Sequence, residues 1–157
     1  MTLVKIIAIS IVFWVLQGCS ASGPIYSGIP EIKSDEGILY IYRPSTFLKF
    51  TTFPFVYVNG EELGALRNGG YIAKNLKEGK NKLEIKGQMF PGDWMLAPVE
   101  VDLDVKGGQA TFVKMWFGNP KTYMYPGNHF ITTAGVNVAI IDNKKAKQEI
   151  KKLKYSN

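Results

Sequence analysis

The feature that most constrains this chain is how regularly turn-forming residues interrupt its apolar runs. Asn59-Gly60, Asn68-Gly69-Gly70, Lys77-Glu78-Gly79-Lys80, Gly107-Gly108 and Pro126-Gly127-Asn128 leave intervals too short for most globular helices but well matched to strands. Ile38-Leu39-Tyr40-Ile41-Tyr42 is apolar at every position, which predicts a central strand covered on both faces. Phe55-Val56-Tyr57-Val58 runs into Asn59-Gly60, the pair that best tolerates the two positive φ angles of a type I′ turn, so Leu63 to Leu66 is expected to return as the second arm of a hairpin. Tyr71 to Leu76 and Thr111 to Phe117 read as further strands, and Thr132 to Ile141 as another, interrupted at Gly135. Lys82 to Lys86 and Val99 to Val105 alternate strictly between apolar and polar residues, which predicts antiparallel strands with one buried and one wet face.

Only the C-terminal stretch has a helical period. Asp142 is placed to cap a helix over about 142–154, with Ala146, Ile150 and Leu153 on one face. The predicted fold is therefore mainly β: a single antiparallel β-sandwich or small barrel over 37–157 with a C-terminal helix. The length suits one domain, and a domain of this size holds its core without staples. The single cysteine excludes an intramolecular disulfide.

The N-terminus has a different character. Lys5 precedes an apolar run from Ile6 to Leu16, broken only by Ser10, and Gly18, Ser20, Ser22, Gly23 and Pro24 end it well short of the roughly 20 residues needed to span a bilayer. This predicts a cleaved export signal over residues 1–18. Residues 20–36 are rich in Ser, Gly and Pro, with Ile25, Tyr26, Ile29 and Ile32 isolated among them. They are expected to form a flexible tether reaching on the order of 20–25 Å.

Leu16-Gln17-Gly18-Cys19 resembles the lipobox of bacterial lipoproteins. The resemblance implies that Leu16, Gln17 and Gly18 are read by a signal peptidase and that the Cys19 thiol carries a diacylglycerol. A thiol is needed because it forms the thioether, and two or more acyl chains are needed for stable anchoring. In Gram-negative sorting, Ser20 after the cysteine implies the outer membrane. A second resemblance covers about residues 37 to 86. Tyr42-Arg43-Pro44-Ser45, Val56-Tyr57-Val58-Asn59-Gly60-Glu61-Glu62-Leu63-Gly64, Leu66-Arg67-Asn68-Gly69-Gly70-Tyr71 and Leu76-Lys77-Glu78-Gly79-Lys80 are similar to a lipoprotein family known as domain of unknown function 2846. The middle portion is also similar to PEGA-type surface modules. These motifs are turn chemistry and speak for fold more than activity.

The net charge of +6 does not point to nucleic acid. Lys144, Lys145, Lys147, Lys151, Lys152 and Lys154 crowd the C-terminus against only Asp142 and Glu149, and the body is close to neutral, so no basic face tracks a phosphate backbone. The lysine-rich helix is open to two readings, a solvated face over a docked apolar stripe or a contact with anionic headgroups. His129 is the only histidine, which excludes a histidine metal cluster and reads as a loop residue. Glu100, Asp102 and Asp104 share one strand face, where Ca²⁺ or the facing Lys82 and Lys86 would compensate them.

No cofactor or resident metal is expected. The loops Met89 to Met95 and Tyr123 to Phe130 set large side chains between turn formers; in them Phe90, Trp94, Tyr123 and Tyr125 are the candidate partner contacts, the other reading being that they plug the open ends of the sandwich. Two function classes follow: a membrane-anchored, non-enzymatic module that binds an envelope protein or surface polymer, or an envelope hydrolase using paired carboxylates. If Cys19 carries the anchor, Cys19→Ser abolishes membrane retention and incorporation of a palmitate analogue; labelled Cys19→Ser protein would refute the assignment.

Overall fold

The computed structural model describes residues 20–47, 51–87, 98–118, 122–125, 129–132 and 135–156. The expected signal segment and Cys19 lie outside them. The described chain forms β1 (Glu36–Arg43), β2 (Phe55–Val58), β3 (Glu61–Ala65), β4 (Gly70–Lys77), β5 (Gly79–Lys86), β6 (Val99–Val105), β7 (Ala110–Phe117), β8 (Thr122–Tyr125), β9 (His129–Thr132), β10 (Val136–Ile141), helix α1 (Asn143–Ile150) and β11 (Lys154–Tyr155). A five-stranded sheet, in the order β10-β7-β1-β4-β11, faces a four-stranded sheet, in the order β3-β2-β5-β6, and β8 and β9 form a separate ribbon. The predicted β-sandwich with a C-terminal helix is thus present.

β1 is central and buried on both faces, as its unbroken apolar run requires. Leu39 and Ile41 point between the sheets, where they pack with Ile72, Val113 and Met115 of their own sheet and Val56, Leu83, Ile85 and Leu103 of the other. Ile38, Tyr40 and Tyr42 point the opposite way and pack with Tyr71, Phe112, Ala146, Ile150 and Leu153. The molecule therefore has a third layer, built from α1 and an N-terminal strap. The Asn59-Gly60 turn is as expected, with φ of 52° and 82° joining β2 to β3. β5 and β6 pair antiparallel with Lys82 opposite Asp102, and both keep their alternation of buried and wet residues.

Four expectations are corrected. The sheet is mixed, because β1 pairs with β7 in parallel (Tyr40 opposite Phe112) and β4 with β11 in parallel. Lys77-Glu78-Gly79-Lys80 is a corner between sheets: β4 lies in one and β5 in the other, with only Glu78 between them. Asn81 secures this corner, its side-chain amide donating to the carbonyls of Lys77 (3.2 Å) and Gly79 (3.0 Å) while its oxygen accepts from Asn59 (2.8 Å).

The helix is shorter than 142–154. Asp142 caps it, accepting from Lys144 N at 2.9 Å and Lys145 N at 3.3 Å, but it ends at Ile150. Lys154 and Tyr155 instead extend along β4, pairing backbone groups that would otherwise be left on an open edge. Leu153 is buried as expected, outside the helix.

The fourth correction concerns residues 20–36, which are not a free tether. Ala21 N donates to Asn68 O (3.1 Å), Gly23 N to Tyr155 O (3.0 Å), Tyr26 N to Leu153 O (3.0 Å), and Tyr155 N to Pro24 O (2.8 Å). Tyr26, Ile29 and Ile32 pack on the outer face of the five-stranded sheet. The Tyr26 ring meets Tyr40 and Tyr71 edge-on, at centroid separations of 5.4 and 5.7 Å. Composition suggested a linker, but apolar residues at irregular spacing suffice when a preformed tyrosine surface accepts them. Removing the strap uncovers that surface. A fragment from Asp35 to Asn157 is expected to be less stable in urea than one from Ser20 by about 2–4 kcal/mol, roughly half the full burial value for three half-buried side chains; coincident curves would show that the strap is not part of the fold.

Candidate functional site

Alternation along β7 sets up the site. Val113 and Met115 face the inter-sheet core, so Phe112, Lys114 and Trp116 emerge on the face that α1 partly covers. Beside the first turn of α1 lies a cleft of about 350 Å³ lined by Arg43, Pro44, Thr46, Lys114, Trp116, Phe117, Ile141 and Lys145.

Three of these are cationic, and each is positioned differently. Arg43, the last residue of β1, is fully buried. Its Nη1 donates to the Thr52 carbonyl, and its guanidinium stands 4.6 Å from the Phe117 ring centroid. Burial lowers its pKa to about 10, which leaves it charged at neutral pH. Lys114 Nζ lies 2.8 Å from Glu149 Oε2, and the same oxygen accepts from Tyr42 Oη at 2.8 Å. Burial pushes the Tyr42 hydroxyl pKa up, and its hydrogen bond to Glu149 raises it further. Lys145 enters from the first turn of α1, beside the Asp142 cap.

Among the described residues Glu149 offsets part of this positive charge, and the described lining itself holds no acid. Trp116 stays 38% exposed at the rim. A half-exposed indole beside fixed cations is suited to an anionic group carried on a ring or other flat apolar body.

A second depression, of about 420 Å³, lies among Asn59, Lys80, Asn81, Lys82, Asp102, Leu103 and Asp104. Of the acidic strand face, Glu100 is met by Lys82, as one of the two readings expected, whereas Lys86 turns to Glu84 on its own strand. Lys82 pairs with Glu100 (3.0 Å), Lys86 with Glu84 (2.9 Å) and Lys106 with Asp104 (2.7 Å). No group of acids, histidines or cysteines fit to hold a metal occurs among the described residues.

Of the residues singled out in the sequence, Leu16, Gln17, Gly18, Cys19, Phe90 and Trp94 lie outside the described residues. Tyr123 and Tyr125 are in β8, with Tyr123 opposite Ile131 and Tyr125 opposite His129. The stretch expected as a loop is thus a two-stranded ribbon, and His129 opens its second strand. Sequence reading missed the cleft itself. Its one available signal was Lys114 and Trp116 two residues apart in a strand, hence on one face, although nothing in the sequence brings Arg43 and Lys145 to them.

The Lys114–Glu149–Tyr42 contact has a pH signature. Burial alone would raise the Glu149 pKa, but hydrogen bonds from Lys114 and Tyr42 and the nearby charges of Lys114 and Lys145 outweigh it and hold the carboxyl below its ordinary value. A folded pKa below the unfolded one stabilises fully above the unfolded value, about 4.3, and the stabilisation is lost as pH falls through the folded value. Stability of the wild type is expected to fall more steeply than that of Glu149→Gln on acidification below about pH 5. Parallel urea-midpoint profiles for the two proteins would contradict this coupling.

A family model described as "Protein of unknown function (DUF2846)" matches residues 33–129. No curated protein and no solved structure matches the chain. The matched stretch includes Arg43, Lys114, Trp116 and Phe117 of the cleft, while Ile141 and Lys145 come from the segment after it. Because the match spans more than half the sequence, the chain belongs to the DUF2846 family.

Proposed function

We propose that this protein is a lipid-anchored module of the bacterial envelope that binds, without chemical turnover, an anionic group of a surface polymer or envelope protein. The cleft is the observation that carries this reading. Its cations sit on a rigid frame, Arg43 buried on Phe117 and Lys114 fixed by Glu149, so they are oriented before any ligand arrives. Preorganised cations next to an exposed indole favour a carboxylate- or phosphate-bearing sugar, the charge meeting the exposed Lys145 while buried Arg43 adds its field, and the ring lying on Trp116. The anchor is Cys19, preceded by Leu16-Gln17-Gly18, and Ser20 directs the protein to the outer membrane in a Gram-negative host.

A nuclear magnetic resonance titration of the mature protein with glucuronate and with inorganic phosphate tests the reading. Amide shifts are expected to cluster at Lys114, Trp116, Ile141 and Lys145. Trp116→Ala is expected to weaken glucuronate binding by about fivefold, on the order of 1 kcal/mol for a lost aromatic stack. It should leave phosphate binding nearly unchanged, whereas Lys145→Ala should weaken both. Shifts scattered over the surface, or none up to saturating ligand, would overturn the assignment.

A further inference from the structure

The N-terminal strap fixes where the chain leaves the fold. Ser20 bridges to Asn68, and Ala21 N donates to the Asn68 carbonyl at 3.1 Å. Three other segments meet at this corner. Thr46 N donates to Asn68 Oδ1 (3.0 Å), Lys154 N to Gly69 O (3.1 Å), and Arg67 N to Ser156 Oγ (3.1 Å). The junction is tight: a Cβ at Gly70 would lie 2.9 Å from Ala21 Cβ and would collide with Ser156 Oγ. Only glycine allows the strap and the C-terminus to close over β4 together.

The surface around this corner has an unusual composition. Phe47 is 92% exposed and Ile25, which bridges to Lys154, is 59% exposed. The segments that meet here, 20–26, 44–47, 67–70 and 151–156, carry Arg67, Lys151, Lys152 and Lys154 and no acid. Exposed apolar side chains amid cations alone are the composition of a surface that rests on anionic headgroups with its apolar residues in the interface.

We infer that this corner is a bilayer-docking face: the domain lies directly on the membrane with Phe47 and Ile25 at headgroup depth, rather than hanging from a spacer. The inference rests on Cys19 being the lipid-bearing residue. Cys19 is one peptide bond from Ser20, so the acyl chains enter the bilayer beside Phe47, and a domain held this close presents the same face to the lipid throughout. The cationic cleft and the docking face adjoin at Pro44 and Thr46 and are otherwise built from different segments.

The test uses the full lipidated protein reconstituted into vesicles of phosphatidylethanolamine and phosphatidylglycerol. Because the Cys19 thiol would be consumed by the lipid, Phe47→Cys supplies a single site for an environment-sensitive fluorophore, and Glu62→Cys, in β3 on the four-stranded sheet, supplies a control. The label at 47 is expected to shift to the blue on reconstitution and to be quenched by lipid-borne quenchers, while the label at 62 keeps its aqueous spectrum. Replacing phosphatidylglycerol by phosphatidylcholine should reduce the shift. A label at 47 that stays aqueous while the protein floats with the vesicles would overturn the docking face. Protein that fails to float would instead remove the lipid anchor on which the inference stands.

Discussion

The structure depends on a strand that is apolar on both faces. Leu39 and Ile41 are completely buried against the four-stranded sheet, and Tyr40 and Tyr42 are almost as fully buried on the other side. A sandwich covers only one face of such a strand, so a second cover is obligatory. Tyrosines make the requirement more specific, because a buried hydroxyl needs a partner. Tyr42 finds Glu149 in the helix, and Tyr40 reaches the Gly28 carbonyl in the strap at 3.4 Å. Burial, with Tyr26 and Tyr71 close by, pushes the Tyr40 pKa up to about 12, so the cover is held by neutral phenols at any physiological pH.

The cleft follows from the same demand. Glu149 is placed by its contact with Tyr42, and it then holds Lys114. The helix anchored in this way carries Lys145, and β10 carries Ile141, to the cleft that Lys114 and Trp116 of β7 also line, where Trp116 is left partly exposed. Elements recruited to bury tyrosines therefore also form the walls of the site, which ties its geometry to core packing rather than to mobile loops.

Much of the sandwich was legible in local chemistry. Asn59-Gly60 specified a hairpin because few other pairs accept two positive φ angles, and the strict alternation of Lys82 to Lys86 and Val99 to Val105 predicted which side chains stay wet. What escaped local reading was non-local. The parallel pairing of β1 with β7 joins segments about seventy residues apart in the chain, and no periodicity encodes it. Lys154 and Tyr155 looked like the end of a helix because the open edge of β4 that captures them is invisible in their own sequence. Residues 20–32 carried the composition of a linker, and only the tyrosine surface, itself assembled from β1, β4 and β7, gives them a docking place. The candidate cleft was least legible, since its residues come from three distant segments.

The strap and β11 have a consequence for the order in which the fold is completed. Ser20 to Tyr26 is bonded largely to Leu153 to Tyr155, so the first described residues are held by nearly the last. Loop closure over that separation costs entropy that is repaid only when both partners are present, and such contacts slow folding. During vectorial synthesis the strap has no complete binding site until residues 153–155 have emerged. The chain can assemble its inter-sheet core earlier, but the layer over the tyrosines is a late event that waits for residues 153–155. Segments that are remote in time thus become a single latch, and a nascent chain cut before Leu153 would leave the latch open and the tyrosine surface partly uncovered.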